Sequence, residues 1–432
     1  MSHRFDTTQK DFHSRFRKFL ERQRESGGDV SRQVADILEC VRLKGDTALR
    51  EYTKKFDHFE LPHNEAFTIP EEAIITAFEM CETETIDALQ LAAERIEVFH
   101  RRQMPEDIFF TDGIGVGLGY RWKPLKSVGL YVPGGTASYP SSVLMNAIPA
   151  RIAGVQRMVI TTPTPRGAIQ PLVLAAAHIA GVTEIYRLGG AQAIAALAFG
   201  SDSIERVDKI IGPGNIFVAE AKRQVFGKCG IDAIAGPSEI IVLAEGDNNA
   251  EWIAADLLSQ AEHDTSARAI LITDNAALGN KVADAVEMQL ANLPRKDIAG
   301  ESWKNFGAII LVKSMEEGVE IVDLLAPEHL EVFSTNAEQI AENIHNAGAI
   351  FLGAHTPETI GDYLGGSNHV LPTNASARFA SGLSTLDFLK RTSLLQCPPE
   401  ALAKLAPAAI TLAQAEGLDA HAQAVKLRVK KP

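Results

Sequence analysis

Cysteine is scarce in this chain: Cys40, Cys81, Cys229 and Cys397 are the four in 432 residues, widely spaced and without a CxxC pair. That spacing excludes a disulfide framework and a thiolate zinc site, and it fits a reducing cytosol. Excess positive charge is missing too. The formal net charge is −13, whereas a nucleic-acid partner asks for a basic face. An anionic small ligand stays compatible, because a local field can oppose the global sign. The longest uncharged stretch, Ser127 to Ala150, contains Pro133, Gly134, Gly135 and Pro140, which break a membrane-spanning helix. The N-terminal MSHRFDTTQKDFHSRFRKFL is charged throughout and lacks the apolar core of a signal peptide. These absences predict a cytoplasmic protein without nucleic-acid or membrane partners.

At 432 residues the chain outgrows one hydrophobic core, so two or more domains are expected. Residues 8 to about 100 have helical spacing of apolar positions, most clearly over Ile75–Phe99. From Ser127 short β-type runs alternate with Ala- and Leu-rich helical runs, the pattern of βα units on a parallel sheet. Strands are predicted at 128–132, 158–162, 184–188 and 209–211. After Gly236-Pro237 a second train follows, at 240–244, 269–273, 308–312, 330–334 and 349–352. Two such trains suggest two α/β domains of similar build, although no residue-level repeat is visible. The Ala-rich tail from Pro398 reads as a helical appendage.

A strict G-x-G-x-x-G fingerprint is absent. Three glycine-rich turns stand at predicted strand ends instead: Tyr131–Gly135, Gly189–Gln192 and Gly212–Asn215. Any one of them is explained by the ordinary use of glycine in βα turns; three in successive units favour a pocket. Gln260 and His263, three apart in a predicted helix, share a face and could ligate a metal. Asp362 and His421 could complete a nitrogen and oxygen set suited to zinc, although spacing alone does not bring the four together. Glu328-His329, at a strand boundary, pairs two proton-transfer groups; a solvated loop pair is the plain alternative. His369 stands in a Gly-rich loop where ligand contacts are common.

Taken together, YVPGG (131–135), GGAQAIAALAFG (189–200), GPGN (212–215), AGPSEI (235–240), DLLSQAEHD (256–264), APEHLE (326–331), GDYLGGSNHVLPT (361–373) and EGLDAHAQAV (416–425) resemble the histidinol dehydrogenase family. The resemblance implies two incomplete, aldehyde-dehydrogenase-like Rossmann domains in an α/β fold with helical appendages at both ends. The expected division is a helical N-terminal arm at 1–29 and a first domain at 30–128 plus 239–380. The dinucleotide domain would span 129–238, and a helical tail, packing on the partner of a homodimer, 381–432.

The resemblance also implies the site. One zinc per subunit would be held by Gln260, His263, Asp362 and His421. Glu328 and His329 would carry the acid–base chemistry, and Tyr131, Gln192 and Asn215 would contact NAD. L-histidinol would meet Ser238, His369 and Glu416 besides Gln260, His263, His329, Asp362 and His421. His329, with a pKa near neutrality, would take the hydroxyl proton in the first oxidation, and Glu328 would activate water for the second. With Glu416 and His421 on the tail, each active site would be shared between subunits. A dehydrogenase acting on another amino or sulfo alcohol, a hydrolase using the same metal and a non-catalytic binder are the competing readings. A thiohemiacetal on Cys229 is the competing chemistry.

Overall fold

The computed structural model describes residues 2–24, 29–62, 66–134 and 139–429. The chain starts with strand β1 (His3–Asp6) and helices α1 (Phe12–Arg24), α2 (Ser31–Lys44), α3 (Asp46–Phe56), α4 (Glu71–Met80) and α5 (Thr83–Arg101), then a hairpin of β2 (Ile108–Thr111) and β3 (Gly117–Pro124). The single helix expected over Ile75–Phe99 is two. Cys81 and Glu82 are extended, with ψ of 151° and 133°, and the chain turns there.

A five-stranded parallel sheet follows, built from β4 (Ser127–Tyr131), β5 (Arg157–Thr162), β6 (Glu184–Arg187), β7 (Lys209–Ile211) and β8 (Gly230–Ile231). Its connecting helices are α6 (Pro140–Ala153), α7 (Pro171–Ala180), α8 (Gly190–Phe199) and α9 (Ile216–Val225). The spatial order is β6-β5-β4-β7-β8, which is the 3-2-1-4-5 order of dinucleotide-binding sheets without a sixth strand. Helices cover both faces, so every residue of β4 is buried. α6 and α7, backed by α4 and α5, bury Leu144, Ile148 and Ile96 on one side. α8 and α9, backed by α2 and α3, bury Val41, Leu49 and Ile194 on the other. Residues 31–101 therefore pack on this sheet and not, as the expected division had it, with the second train. Their apolar stripes find cover on α6–α9, which a reading of helical periodicity alone cannot assign.

The second train forms a six-stranded parallel sheet of β9 (Glu239–Ala244), β10 (Arg268–Thr273), β11 (Ala308–Leu311), β12 (His329–Phe333), β13 (Ala349–Leu352) and β1. Helices α10 (Ala250–Ala261), α11 (Ala276–Leu290), α12 (Lys296–Phe306), α13 (Met315–Leu325), α14 (Ala337–Ala341) and α15 (Glu358–Tyr363) surround it. In order β1-β11-β10-β9-β12-β13, its last five strands repeat the 3-2-1-4-5 pattern of the first sheet. The similar build suggested by the two trains thus appears as shared topology. β1 adds an edge strand, pairing His3–Asp6 with Ala308–Leu311. The N-terminal arm is therefore strand and helix, not helix alone. Only Phe5 of β1 is buried, so a four-residue strand with one apolar anchor leaves no alternating signature.

The tail also departs from its expected all-helical form. Residues 389–396 are β14 (Leu389–Gln396), antiparallel to β3 over eight register pairs. Two helices follow, α16 (Pro399–Ala415) and α17 (Asp419–Val429). This appendage leaves Phe109, Phe110, Leu395 and Leu412 exposed. Among the described residues no helix is long and apolar enough to cross a membrane.

Candidate active site

β12 begins at His329, and Glu328 precedes it; both side chains are buried. One residue of the neighbouring strand holds the pair. The N–H of Glu239 donates to Oε2 of Glu328 at 2.9 Å, and its carbonyl accepts from Nδ1 of His329 at 3.0 Å. That bond assigns the proton of the neutral imidazole to Nδ1 and leaves Nε2 as an acceptor. The side chain of Glu239 is itself paired with Arg268 in the buried interior.

Side chains alternate across β12, so His329, Glu331 and Phe333 face α10 and α15 while Leu330 and Val332 face the opposite core. On that first face Nε2 of His329 lies 3.8 Å from Oε1 of Glu358. Ligand atoms of His329, Glu358 and Asp362 all lie within 4.8 Å of one another. Glu358 and Asp362 are four apart on α15 and share its inner face.

Burial sets the electrostatics. It drives the pKa of His329 down to about 4, well below the near-neutral value expected from sequence, because an imidazolium loses its hydration there. The imidazole is therefore a neutral acceptor at physiological pH. Burial pushes Glu328 well up. The N–H of Glu239 opposes this, while the carboxylates of Glu239, Asp362 and Glu358 add to it. Glu358 is raised by burial and then by Asp362, and Glu331 by burial and then by Asp256.

His369 joins from the loop after α15. Its Nδ1 donates to the carbonyl of Asp362 at 3.1 Å, so its Nε2 accepts from Oγ of Ser142 at 3.3 Å. Ser142 belongs to the first turn of α6, so this contact joins the two sheets at the site. Ser238, half-buried, immediately precedes Glu239 at the start of β9.

Gln260 is buried in the last turn of α10. The helix stops at Ala261, so His263 does not share a helical face with Gln260 as expected. It stands in the following turn, its N–H bonded to the Gln260 carbonyl at 3.2 Å. From there a positive charge on it would lower the pKa of both His329 and His369. Oε1 of Gln260, Nε2 of His329 and both carboxylate oxygens of Glu358 are buried without hydrogen-bond partners. The orphaned acceptors of His329 and Glu358, with Asp362 beside them, suit a bound cation, and this nitrogen and oxygen set suits zinc. Asp362 is the residue common to the expected zinc ligands and the cluster with His329 and Glu358.

The three glycine turns lie at the carboxyl ends of β4, β6 and β7, where this topology binds dinucleotides. Their glycines are largely accounted for by internal packing. A Cβ on Gly134 or Gly189 would come within 2.8 or 2.4 Å of Pro163, and one on Gly212 within 2.2 Å of the Tyr131 carbonyl. Gly135 lies outside the described residues. Tyr131 is buried, its hydroxyl oxygen accepting from the N–H of Gly190 at 3.0 Å. Asn215 caps α9, accepting from Phe217 and Val218 through Oδ1. Gln192 is 1% exposed and its Oε1 has no hydrogen-bond partner.

Two expected residues stand apart. Glu416, just past the C-terminal end of α16, and His421, on α17, are exposed, and the two helices pack on each other. The thiol of Cys229 is buried against the carbonyl of Val207 at 3.3 Å, and burial pushes its pKa to about 12. It sits under β7 and β8 and cannot act as a nucleophile on a substrate among Glu328, His329 and Asp362.

Residues 20–429 match the sequence profile of histidinol dehydrogenases. The histidinol dehydrogenases of Bradyrhizobium diazoefficiens and Rhodopseudomonas palustris are each 57% identical to this chain over 426 residues, covering 99% of both partners. The chain belongs to the histidinol dehydrogenase family. It is an oxidoreductase by that membership. The crystal structure of histidinol dehydrogenase from Elizabethkingia anophelis superposes with a TM-score of 0.94 at 36% identity, covering 99% of this chain and 98% of that one. The two-sheet α/β architecture is thus the family's.

Sequence reasoning passed over Glu358, Glu239 and Ser142. Glu358 had a legible signal, since it is four residues before Asp362 in a short helical stretch. Glu239 and Ser142 act through contacts 89 and 227 residues distant in the chain, and no local pattern marks them.

Proposed function

We propose that this protein is a cytoplasmic, zinc-requiring, NAD-linked histidinol dehydrogenase that oxidises L-histidinol through L-histidinal to L-histidine. The observation that carries this reading is the neutral His329, with Nε2 free as an acceptor beside Asp362 and Glu358 and with Glu328 next to it. A dehydrogenation of an alcohol needs such a base at the carbinol, and the oxidation of an aldehyde needs a second group to activate water.

Gln260, His263 and Asp362, with His421 of a second subunit, are the residues we assign to the metal; Tyr131, Gln192 and Asn215 are those for the dinucleotide. When bound, zinc orients and polarises the amino alcohol, and NAD accepts a hydride in each oxidation. His329 takes the hydroxyl proton at Nε2 as the carbinol carbon is oxidised. Glu328 then takes a proton from the water that adds to the aldehyde. Burial, with the neighbouring carboxylates, holds Glu328 well above the usual carboxylate range, and a cation beside it would favour the ionised form that accepts this proton. His329, having released its first proton to solvent, accepts the proton of the resulting hydrate at Nε2 in the second oxidation. Ser238, His369 and the second subunit's Glu416 hold the substrate, and keeping the aldehyde in place between steps protects it from side reactions.

The exposed positions of Glu416 and His421 support a homodimer with shared sites, because neither contributes to the cluster of its own chain. The direct test is NADH formed per L-histidinol consumed, before chelation, after it and after zinc is restored. Two NADH per substrate, lost with chelator and recovered with zinc, is the expected result. A single NADH, or turnover indifferent to chelation, contradicts the reading.

A further inference from the structure

A buried ion pair lies behind the third glycine turn. Lys222, on α9, is 2% exposed and pairs with Asp232, 6% exposed, just after β8. The two grip a single residue. Nζ of Lys222 donates to the carbonyl of Gly212 at 2.9 Å, and Oδ2 of Asp232 accepts from the N–H of the same glycine at 2.8 Å. Gly212 has a φ of +109°, and a Cβ there would meet the Tyr131 carbonyl at 2.2 Å. Its backbone is thus held in a conformation that other residues avoid, against the end of β4.

Stability alone does not call for this arrangement, since a buried ion pair is often matched by apolar residues of similar volume. What apolar residues cannot supply is a donor and an acceptor for the two sides of Gly212. The consequence runs along α9. Lys222 lies seven residues after Asn215, the residue whose Oδ1 caps the first turn of that helix. Fixing Gly212 and α9 by the same ammonium sets the position of Asn215 and of the helix start relative to Tyr131 and β4. This is the crevice where the strand order reverses between β4 and β7, the point at which such sheets take their ligand.

We propose that Lys222 and Asp232 are positioning residues for dinucleotide binding, holding the Gly212–Asn215 turn in its binding geometry without touching the ligand. This rests on the reading of the three turns as the NAD site. It predicts a selective effect on the dinucleotide, because the acid–base cluster at β9, β12 and α15 is on the other sheet.

The test is the Lys222→Met/Asp232→Leu double variant in the full-length protein, which removes both charges together and leaves no unpaired ion. Thermal unfolding, kcat, the KM values for NAD and L-histidinol, and the dissociation constant for NAD from protein fluorescence are measured. We expect a folded variant whose melting temperature falls, because the buried N–H and carbonyl of Gly212 lose their partners, with kcat within about twofold and an unchanged KM for L-histidinol. The KM and dissociation constant for NAD rise about tenfold, the size of one to two lost hydrogen bonds. Equal changes for both substrates, or unchanged NAD binding in a folded variant, overturn the proposal. If the double variant does not fold, Asp232→Asn is read instead. It keeps an acceptor for Gly212 and is expected to weaken NAD binding while sparing L-histidinol; no selectivity for NAD overturns the proposal. A parent protein that binds no NAD fails differently, sinking the dinucleotide reading and the positioning role with it.

Discussion

Nδ1 of His329 donates to the carbonyl of Glu239 at 3.0 Å, and this bond leaves Nε2 as the acceptor nitrogen that faces Glu358. Burial lowers the imidazole pKa to about 4, so the neutral, Nδ1-protonated form persists as pH falls through 6.5, where an ordinary histidine becomes charged. Nitrogen-15 NMR of the metal-free protein is expected to report that tautomer for His329 at pH 6, with titration only near pH 4. An imidazolium signal at pH 6 contradicts the assignment. Replacing His329 by Asn, which keeps polarity but loses the base, is expected to lower kcat by about 10²–10⁴-fold, with the KM for NAD nearly unchanged.

The Glu239–Arg268 pair, with side chains 8% and 7% exposed, anchors the residue that holds both Glu328 and His329. Arg268→Met leaves the carboxylate of Glu239 buried opposite an apolar chain. A loss of about 3–5 kcal/mol in urea unfolding is expected. A loss below about 1 kcal/mol means that solvent reaches Glu239 in the folded protein.

Shared sites make a quantitative claim about mixing. His421→Ala and Glu328→Gln homodimers are each expected to be inactive. Dissociated and reassociated together at equal concentration, they should give mixed dimers in which one site draws Glu328 and His421 from unaltered chains. Statistical mixing makes half the dimers mixed with one intact site each, so recovered activity approaches about a quarter of the parent's. No recovery places both residues of a site in one chain.

Burial of Cys229 predicts a silent thiol. With a pKa of about 12, roughly one molecule in 10,000 carries the thiolate at pH 8. Exposed Cys397 should react with a disulfide reagent at once, and Cys229 only on unfolding. Cys229→Ala is expected to keep full oxidation of L-histidinol; loss of the second NADH would revive a thiohemiacetal.

Nine of the ten strands of the two α/β trains, all but the two-residue β8, were legible because a parallel strand buried on both faces is a short continuous apolar run, as in Ile240–Ala244 or Ala269–Thr273. Glu328, His329 and Asp362 were legible because their segments carry the family resemblance, and the structure brings His329, Glu358 and Asp362 into one cluster. What escaped is what depends on a distant partner. β2 and β14 leave most side chains exposed and β3 leaves most half-buried, so cross-strand hydrogen bonds rather than burial define them. The break at Cys81-Glu82 carries no Gly or Pro, and a run of good helix formers hides it. Helices α2–α5 were legible as helices, but the sheet they cover was not, because an apolar stripe does not name its partner.

The parallel pairing of His3–Asp6 with Ala308–Leu311 also has a cost in time on the ribosome. Synthesis at ~5–20 residues per second separates the two segments by roughly 15–60 s. Through that interval Phe5, Phe12, Phe16 and Phe19, which end up in the core beside β10 and β11, have no sheet to cover them. The sheet spanning 127–231 can close first, while the chain's earliest aromatic cluster waits for one of its last strands. A chaperone that shields exposed aromatic segments would therefore act on residues 5–19 until β11 has been made.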